Sequence, residues 1–470
     1  MGRQQNLNSG PTRREILKYG LYGGLAAGLA PSLWLSGCGK RLQVKRPNII
    51  LIVIDTLRAD HVGCYGYQRN TTSNIDRLAR EAVLFKNAIS AAPWTLPSFA
   101  SLLTSQYPCV LGIRGKLAGV DSRFPLLSEV LKQYNYTTHG VFSCGNLSPR
   151  LGFGRGFDNY YNRRSPRHGA GFTSPNVTKE AISFLRKGHK EPFFLFLHYF
   201  DPHYNYILHK QYNYYPNYRG KVKRNHSILD LWHKLHELSE DDVRYLLALY
   251  DSEIAFTDEY IGKLLDELKK QGLYENSIII VTADHGEEFL ERGWLGHTIT
   301  LHEELLHVPL IMKLPGYSAR IIDSPVGLID IVPTIYQYMG LKMPDGLEGK
   351  ALDLNRGDSI ANRPIFTETF NSQKLQLNTR PVAFRSIVSG NWKLIYDEIK
   401  DSNQVYNLSE DPHERNDLSG QHGEQKRMLK GLLSKWINYV KTKQKVGPVP
   451  DESELLTPDE RKELESLGYL

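Results

Sequence analysis

Cysteine is scarce here: four residues in 470, and Cys38, Cys64, Cys109 and Cys144 stand far apart with no metal-ligand spacing. That excludes a disulfide-stapled scaffold and a thiolate zinc site. Charge of one sign is missing as well. Lys and Arg number 58 against 51 Asp and Glu, and of the formal net charge of +7, Arg3, Arg13, Arg14 and Lys18 against Glu15 put +3 in the first 37 residues. With no basic repeat and no reader motif, a nucleic-acid partner is not expected. There is no internal repeat, and no low-complexity linker beyond residues 39–47. Only one apolar run, residues 19–35, reaches about the length that spans a bilayer, and Pro31 interrupts it.

What is present fits one large α/β core with a smaller unit appended, since 41% of residues are hydrophobic and 23% charged. Two β-branched apolar runs, NIILIVI from Asn48 and SIIIVTA from Ser277, end in acids: Asp55 after the first, Asp284 with His285 after the second. Both read as buried parallel strands. In an open α/β sheet the ligand site lies beyond the carboxyl ends of the strands, so these side chains converge if the strands are neighbours. Two carboxylates and an imidazole make a divalent-metal shell, although acids after strands are also common turn residues. Residues 91–107, APWTLPSFASLLTSQYP, add a hydroxyl. Pro97 presets a first-turn φ and 98–104 read as helix, which puts Thr95 at a helix mouth whose open N–H groups attract an anion. Thr95 is then either a nucleophile or an ordinary N-cap.

These segments lie in an order that resembles the sulfatase family of the alkaline-phosphatase superfamily over nearly the whole mature chain. FFLFLHYFDPH at 193–203, TADHGEEF, the GH of 296–297, HEELLHVPLIM, GLIDIVPTI, NWKLIYD and VYNLSEDPHERNDL are similar to that family's landmarks. The departures matter more than the match. Familiar sulfatases carry Cys or Ser, any residue, then Pro-Ser-Arg, and oxidise the Cys or Ser to formylglycine; this chain has Thr95-Leu96-Pro97-Ser98-Phe99. Thr does not yield that aldehyde, and Phe99 replaces the supporting arginine. A Thr sulfate ester lacks the geminal-diol route to sulfate release, whereas an activated alcohol attacks phosphorus without difficulty.

The resemblance implies further roles. The metal ligands are Asp55, Thr95, Asp284 and His285, and an imidazole where many relatives have Asn favours Mn²⁺ or Zn²⁺, with Ca²⁺ or Mg²⁺ as alternatives. His203 falls at the family's catalytic histidine and is the candidate general acid. His198, inside an apolar run, reads first as a core histidine. His297 takes the approximate place of a sulfate-binding lysine, or is a loop histidine near His302 and His307. Arg58 supports Thr95 or the anion, or forms a surface salt bridge. Residues 199–220 are unusually aromatic and read as a lid over a headgroup or as a plain surface insertion.

At the amino terminus TRREILK, residues 12–18, resembles a twin-arginine export signal, and LSGC, residues 35–38, resembles a lipobox. The expectation is cleavage before Cys38, a diacylglycerol on its sulfur, and a membrane-anchored, periplasm-facing enzyme, sorted by Gly39 to the outer membrane; an uncleaved signal anchor is the alternative. Cys64, Cys109 and Cys144 then leave at most one disulfide, with buried free thiols as the default. The domains expected are a signal peptide 1–37, a lipidated linker 38–47, a catalytic domain 48–362, a subdomain 363–445 and a tail 446–470. Helices over 73–83, 125–133, 176–187 and 240–271 interleave with strands over 137–142, 193–198, 277–282 and 308–313. That alternation implies a mostly parallel sheet between helical layers, alkaline-phosphatase-like, followed by a smaller antiparallel α+β unit with a helix over 421–442 and a short docked helix at the end.

Three functions remain open on the sequence. The first is a metal-dependent hydrolase or transferase acting through a Thr95 adduct on phosphate esters or diesters, such as envelope headgroups. The second is a sulfuric ester hydrolase working without formylglycine on sulfated glycans or aryl sulfates. The third is a noncatalytic binding protein on the same scaffold.

Overall fold

The computed structural model describes residues 46–470 except 115–116, 164–172, 224–225, 355–362, 372–380, 444–454, 468 and 470. The export signal and the lipobox Cys38 lie outside the described residues. Among the described residues no helix is long and apolar enough to cross a membrane.

A nine-stranded sheet runs, edge to edge, through strands starting at Arg320, Val83, His307, Ser277, Asn48, Phe193, Thr137 and Asn159, with Val326–Gly327 beside Val83–Ile89. The apolar runs without alternation occupy its middle. Asn48–Ile54, Phe193–Tyr199 and Ser277–Ala283 are buried at every position, as strands covered on both faces must be. Asn48–Ile54 pairs in parallel with both of the others, and the register sets Ile54 beside Tyr199 and beside Ala283. Their carboxyl ends are therefore level. His307–Lys313 runs antiparallel to both of its neighbours, which makes the sheet mixed and mostly parallel.

One helix ends earlier than its sequence pattern predicts. Ser73–Ala79 stops short of Val83, where the strand Val83–Ile89 begins. A register shift between Phe85 and Ala88 turns Lys86 and Asn87 outward, and the broken alternation hides the strand. The long helix Glu240–Lys270 has its Ser239–Asp242 capping box where the acidic first turn places it.

The second sheet has four antiparallel strands, Ile365–Asn371, Val382–Ser389, Trp392–Asp397 and Ser402–Asn407, in sequential order. Helix Gly423–Lys443 buries Leu429, Leu433, Trp436 and Val440, a helical stripe, against Phe366, Ile387, Leu394 and Val405. The chain ends in helix Pro458–Ser466, capped by Thr457, with Leu464 and Leu467 in the main core. Cys64, Cys109 and Cys144 are free thiols.

Candidate active site

The level ends of three central strands build the site. Asp55 follows Asn48–Ile54, Asp284 and His285 follow Ser277–Ala283, and His198 is the penultimate residue of Phe193–Tyr199. Asp55, Asp284 and His285 are 0% exposed. Thr56 adopts a left-handed φ of 57°, rare for a β-branched residue, and this turns its N–H toward Asp284 Oδ1 at 3.3 Å. The His285 N–H donates to the same oxygen at 3.0 Å. Asp284 is thereby aimed with Oδ2 free.

Thr95 opens helix Thr95–Thr104 as its first residue, with Trp94 as N-cap. The reading of Thr95 as a cap is thus set aside, and its hydroxyl faces His285 Nε2 at 3.4 Å. Ser98, one turn on, donates to the Asp284 carbonyl at 2.7 Å and so pins the helix mouth to the strand end.

The donor set fits a cation. His285 Nδ1 donates to the Gly286 carbonyl at 2.9 Å, which leaves Nε2 as a lone pair. That lone pair lies 3.3 Å from Asp284 Oδ2 and 3.7 Å from Asp55 Oδ1, and neither oxygen has a hydrogen-bond partner. Three buried acceptors facing one another need a cation or bound protons between them. Burial and then Glu287 push Asp55 well above the usual carboxylate range; burial and then Asp55 do the same to Asp284. Asp55, Asp284 and His285 are the residues that would hold a divalent ion.

His198 is placed outside that shell. The Ser143 N–H donates to its Nδ1 at 3.3 Å, so Nε2 carries the hydrogen and donates to Asp55 Oδ2 at 3.0 Å. It orients the carboxylate.

The leaving-group side is equally enclosed. His203 Nδ1 donates to the Tyr204 carbonyl at 2.7 Å, and its Nε2 lies 3.1 Å from the Tyr469 hydroxyl. His297 pairs with Glu287 at 2.8 Å through Nδ1 and with the same Tyr469 hydroxyl at 2.6 Å through Nε2. The His203 and His297 rings are 5.0 Å apart, and those of His285 and His297 4.5 Å. Burial lowers the His297 imidazole to about 3 and pushes His203 and His285 well below the usual imidazole value. All three rest neutral in the closed site.

The family model described as Sulfatase matches residues 47–341, and one described as N-sulphoglucosamine sulphohydrolase, C-terminal, matches 291–442. The chain belongs to the sulfatase family. As a sulfatase-family chain it is an ester hydrolase. It is 25% identical to an uncharacterized sulfatase of Escherichia coli over 78% of this chain and 84% of that one. It is 24% identical to an N-acetylglucosamine-6-O-sulfatase of Bacteroides thetaiotaomicron over 90% and 91%. Among solved structures, a phosphonate monoester hydrolase from Silicibacter pomeroyi superposes with a TM-score of 0.70 at 18% identity, covering 85% of this chain and 96% of that one.

Against that family background several residues do other work than the sequence predicts. The Arg58 guanidinium binds Asp60 at 2.8 Å, Glu291 at 2.6 Å and the Glu287 carbonyl at 3.0 Å. It braces the loop that carries Glu287, which corrects its assignment to Thr95 or the anion; the pair is buried on the arginine side rather than at the surface. Phe99 sets its ring edge-on to His198 at 5.1 Å and supplies a wall for the histidine that holds Asp55. The aromatic stretch is tied down rather than free to close: Tyr212, Tyr215 and Tyr218 bond Glu259, Asp241 and Asp242 of the long helix. Among its described residues Phe200 stacks on His203 at 4.4 Å and Tyr204 on His297 at 5.0 Å. Sequence reasoning also passed over Glu287 and Tyr469. The first was legible as a third acid in DHGEE, the second had no local signal, 172 residues from its partner His297.

A test of the shell follows from His198. His198→Ala removes the donor that aims Asp55, so Mn²⁺ or Zn²⁺ affinity should fall about 10- to 100-fold by calorimetry. Unchanged affinity would mean that Asp55 needs no orientation.

Proposed function

We propose that this sulfatase-family chain is a divalent-metal-dependent hydrolase of monoanionic phosphorus esters, phosphodiesters or phosphonate monoesters, acting through a covalent Thr95 adduct. The observation that carries this reading is the Thr95 hydroxyl itself: it opens a helix without capping it and faces a buried acceptor, His285 Nε2. The charge balance supports a monoanion. Among the described residues no Lys or Arg pairs with Thr95, His203 or His297, so besides the metal no permanent cation offsets a second negative charge.

A divalent ion held by Asp55, Asp284 and His285 supplies Lewis-acid stabilisation of an alkoxide and of ester oxygens. The side chains supply the rest. Thr95 Oγ1 attacks phosphorus from the helix mouth, where the first-turn N–H groups stabilise negative oxygens. Its proton leaves to water, since the lone pairs of Asp55, Asp284 and His285 would be committed to the ion. The bond from phosphorus to the ester oxygen breaks, and that oxygen takes a proton that His203 Nε2 has picked up from water in the opened site, with His297 Nε2–H donating a hydrogen bond to it. His203 Nδ1 stays anchored to the Tyr204 carbonyl throughout, which keeps Nε2 aimed. Water then attacks the Thr95 phosphoester and regenerates the hydroxyl.

One observation favours a second reading. The N-acetylglucosamine-6-O-sulfatase aligns over 90% of this chain, which supports a sulfated sugar as substrate. The same experiment separates the two. The metal-loaded full chain is incubated in separate reactions with 4-nitrophenyl phenylphosphonate, bis-4-nitrophenyl phosphate and 4-nitrophenyl sulfate, acid-quenched and peptide-mapped. A phosphorus adduct on Thr95 is the expected result; a sulfo adduct with turnover establishes the sulfate reading instead. The proposal extends to location: TRREILK and the Cys38 lipobox support an exported, lipid-anchored enzyme, and the mass of the Cys38 peptide from membranes tests it.

A further inference from the structure

The last segment of the chain belongs to the site although neither family model reaches it, since the matches end at residues 341 and 442. It is firmly seated. Thr457 and Glu460 form a capping box on helix Pro458–Ser466, Leu464 and Leu467 are fully buried, and the Leu467 carbonyl accepts from the Tyr204 hydroxyl at 3.1 Å. Two residues on, the Tyr469 phenol reaches the groups that serve the reaction: His297 Nε2 at 2.6 Å and His203 Nε2 at 3.1 Å. Its ring lies 6.4 Å from that of Trp94, the residue before Thr95.

Two consequences follow. The first is steric. A reacting phosphorus or sulfur must come within about 3–3.5 Å of the nucleophile oxygen. With the phenol in place Thr95 is 0% exposed, His203 2% and His297 3%. An ester and the phenol compete for one space.

The second is the direction of the hydrogen bonds. His203 Nδ1–H is committed to a carbonyl, so its Nε2 accepts, and the donor facing it is the Tyr469 O–H. The phenol oxygen is then left to accept from His297 Nε2–H, while Nδ1 of that neutral ring accepts from the Glu287 carboxyl, which burial holds protonated. An oxygen that donates to His203 and accepts from His297 has the bonding of the alcohol released when the ester bond breaks.

We infer that Tyr469 is an intramolecular stand-in for the product alcohol: the docked segment of residues 455–467 and Tyr469 closes the enzyme by filling the leaving-oxygen site, and substrate enters when it lifts. The inference rests on the proposed assignment of His203 and His297 to the leaving oxygen. The competent fraction of the enzyme is then set by how often the segment is undocked, and apparent affinity falls by that fraction.

The test reads access to the nucleophile position without needing turnover. Thr95→Cys is compared with Thr95→Cys combined with Tyr469→Ala, both in the full chain, by the rate of iodoacetamide labelling at residue 95 mapped by peptide mass. Labelling should be at least about tenfold faster in the double variant. The helix keeps Leu464 and Leu467 in both, and an unchanged melting temperature verifies that the difference is local. Equal labelling rates overturn the inference whatever the enzyme hydrolyses. In the Thr95 background, Tyr469→Ala should raise kcat/KM for 4-nitrophenyl phenylphosphonate; a fall in kcat with unchanged KM would make Tyr469 part of the chemistry and overturn the closing role. Absence of any Thr95 adduct sinks the proposed function and leaves the labelling result standing.

Discussion

Thr95→Ala is expected to lower kcat by about 10³- to 10⁶-fold, the range seen when a nucleophile that forms a covalent intermediate is removed. That corresponds to roughly 4–8 kcal/mol of lost transition-state stabilisation. The neighbouring hydroxyl cannot substitute, because Ser98 is one turn along the helix and is committed to the Asp284 carbonyl. The fold should hardly notice. Thr95 is not the cap of its helix, and its contact with His285 is long at 3.4 Å, so the stability cost should stay near 1 kcal/mol. Metal content should also persist, since Asp55, Asp284 and His285 remain. Thr95→Ser keeps the oxygen and should keep both the adduct and most of the activity. The measurement is kcat on 4-nitrophenyl phenylphosphonate with metal analysis of each variant. Activity of Thr95→Ala within tenfold of the parent would mean that water attacks the ester directly and that no Thr95 adduct lies on the path.

The contrast between Thr95 and Tyr469 shows what a linear chain reveals. Strand ends that carry acids are legible because an apolar run with no alternation has to be buried on both faces, and the carboxyl ends of such strands meet at one edge of the sheet. Asp55, Asp284 and His285 converge for that reason. Thr95 is legible because Pro97 and the apolar spacing after it start a helix at a definite residue. Hydrogen-bond direction is not legible. In the string FFLFLHYFDPH His203 reads as the candidate acid and His198 as a core histidine, but only the N–H of Ser143 and the carbonyl of Tyr204 decide which nitrogen of each ring is free. Arg58 illustrates the same limit from the opposite side: it has the right distance along the chain from Asp55, but Glu291 and Asp60 claim its guanidinium. The strand Val83–Ile89 escaped because its bulge destroys the period-two pattern. Tyr469 escaped because nothing in the sequence after Ser466 says where the residues that follow a docked helix will point their side chains.

Asp55→Asn should have opposite effects with and without metal. In the metal-free protein two buried carboxylates face each other, and both are raised above their ordinary value of 3.8, Asp55 by burial and then Glu287, Asp284 by burial and then Asp55. A raised carboxyl binds its proton more tightly in the folded state, so unfolding releases protons above about pH 3.8, and this part of the stability, present in acid, is lost as pH rises toward the folded-state value. Asn cannot ionise. It still offers an oxygen to His198 Nε2–H, the bond that Asp55 accepts at 3.0 Å. The metal-free variant should therefore melt higher than the metal-free parent at neutral pH and lose less stability between acid and neutral conditions. With metal the order inverts: the parent gains about 2.7 kcal/mol when the ion is at a hundred times its dissociation constant, and the variant, short of one charged ligand, gains little at the same concentration. Melting curves of both proteins in chelator and in Mn²⁺ or Zn²⁺, at acid and neutral pH, read all four states. If Asp55→Asn melts lower in chelator and keeps the full metal response, Asp55 is a hydrogen-bond partner of His198 and no ligand, and the ion must sit elsewhere.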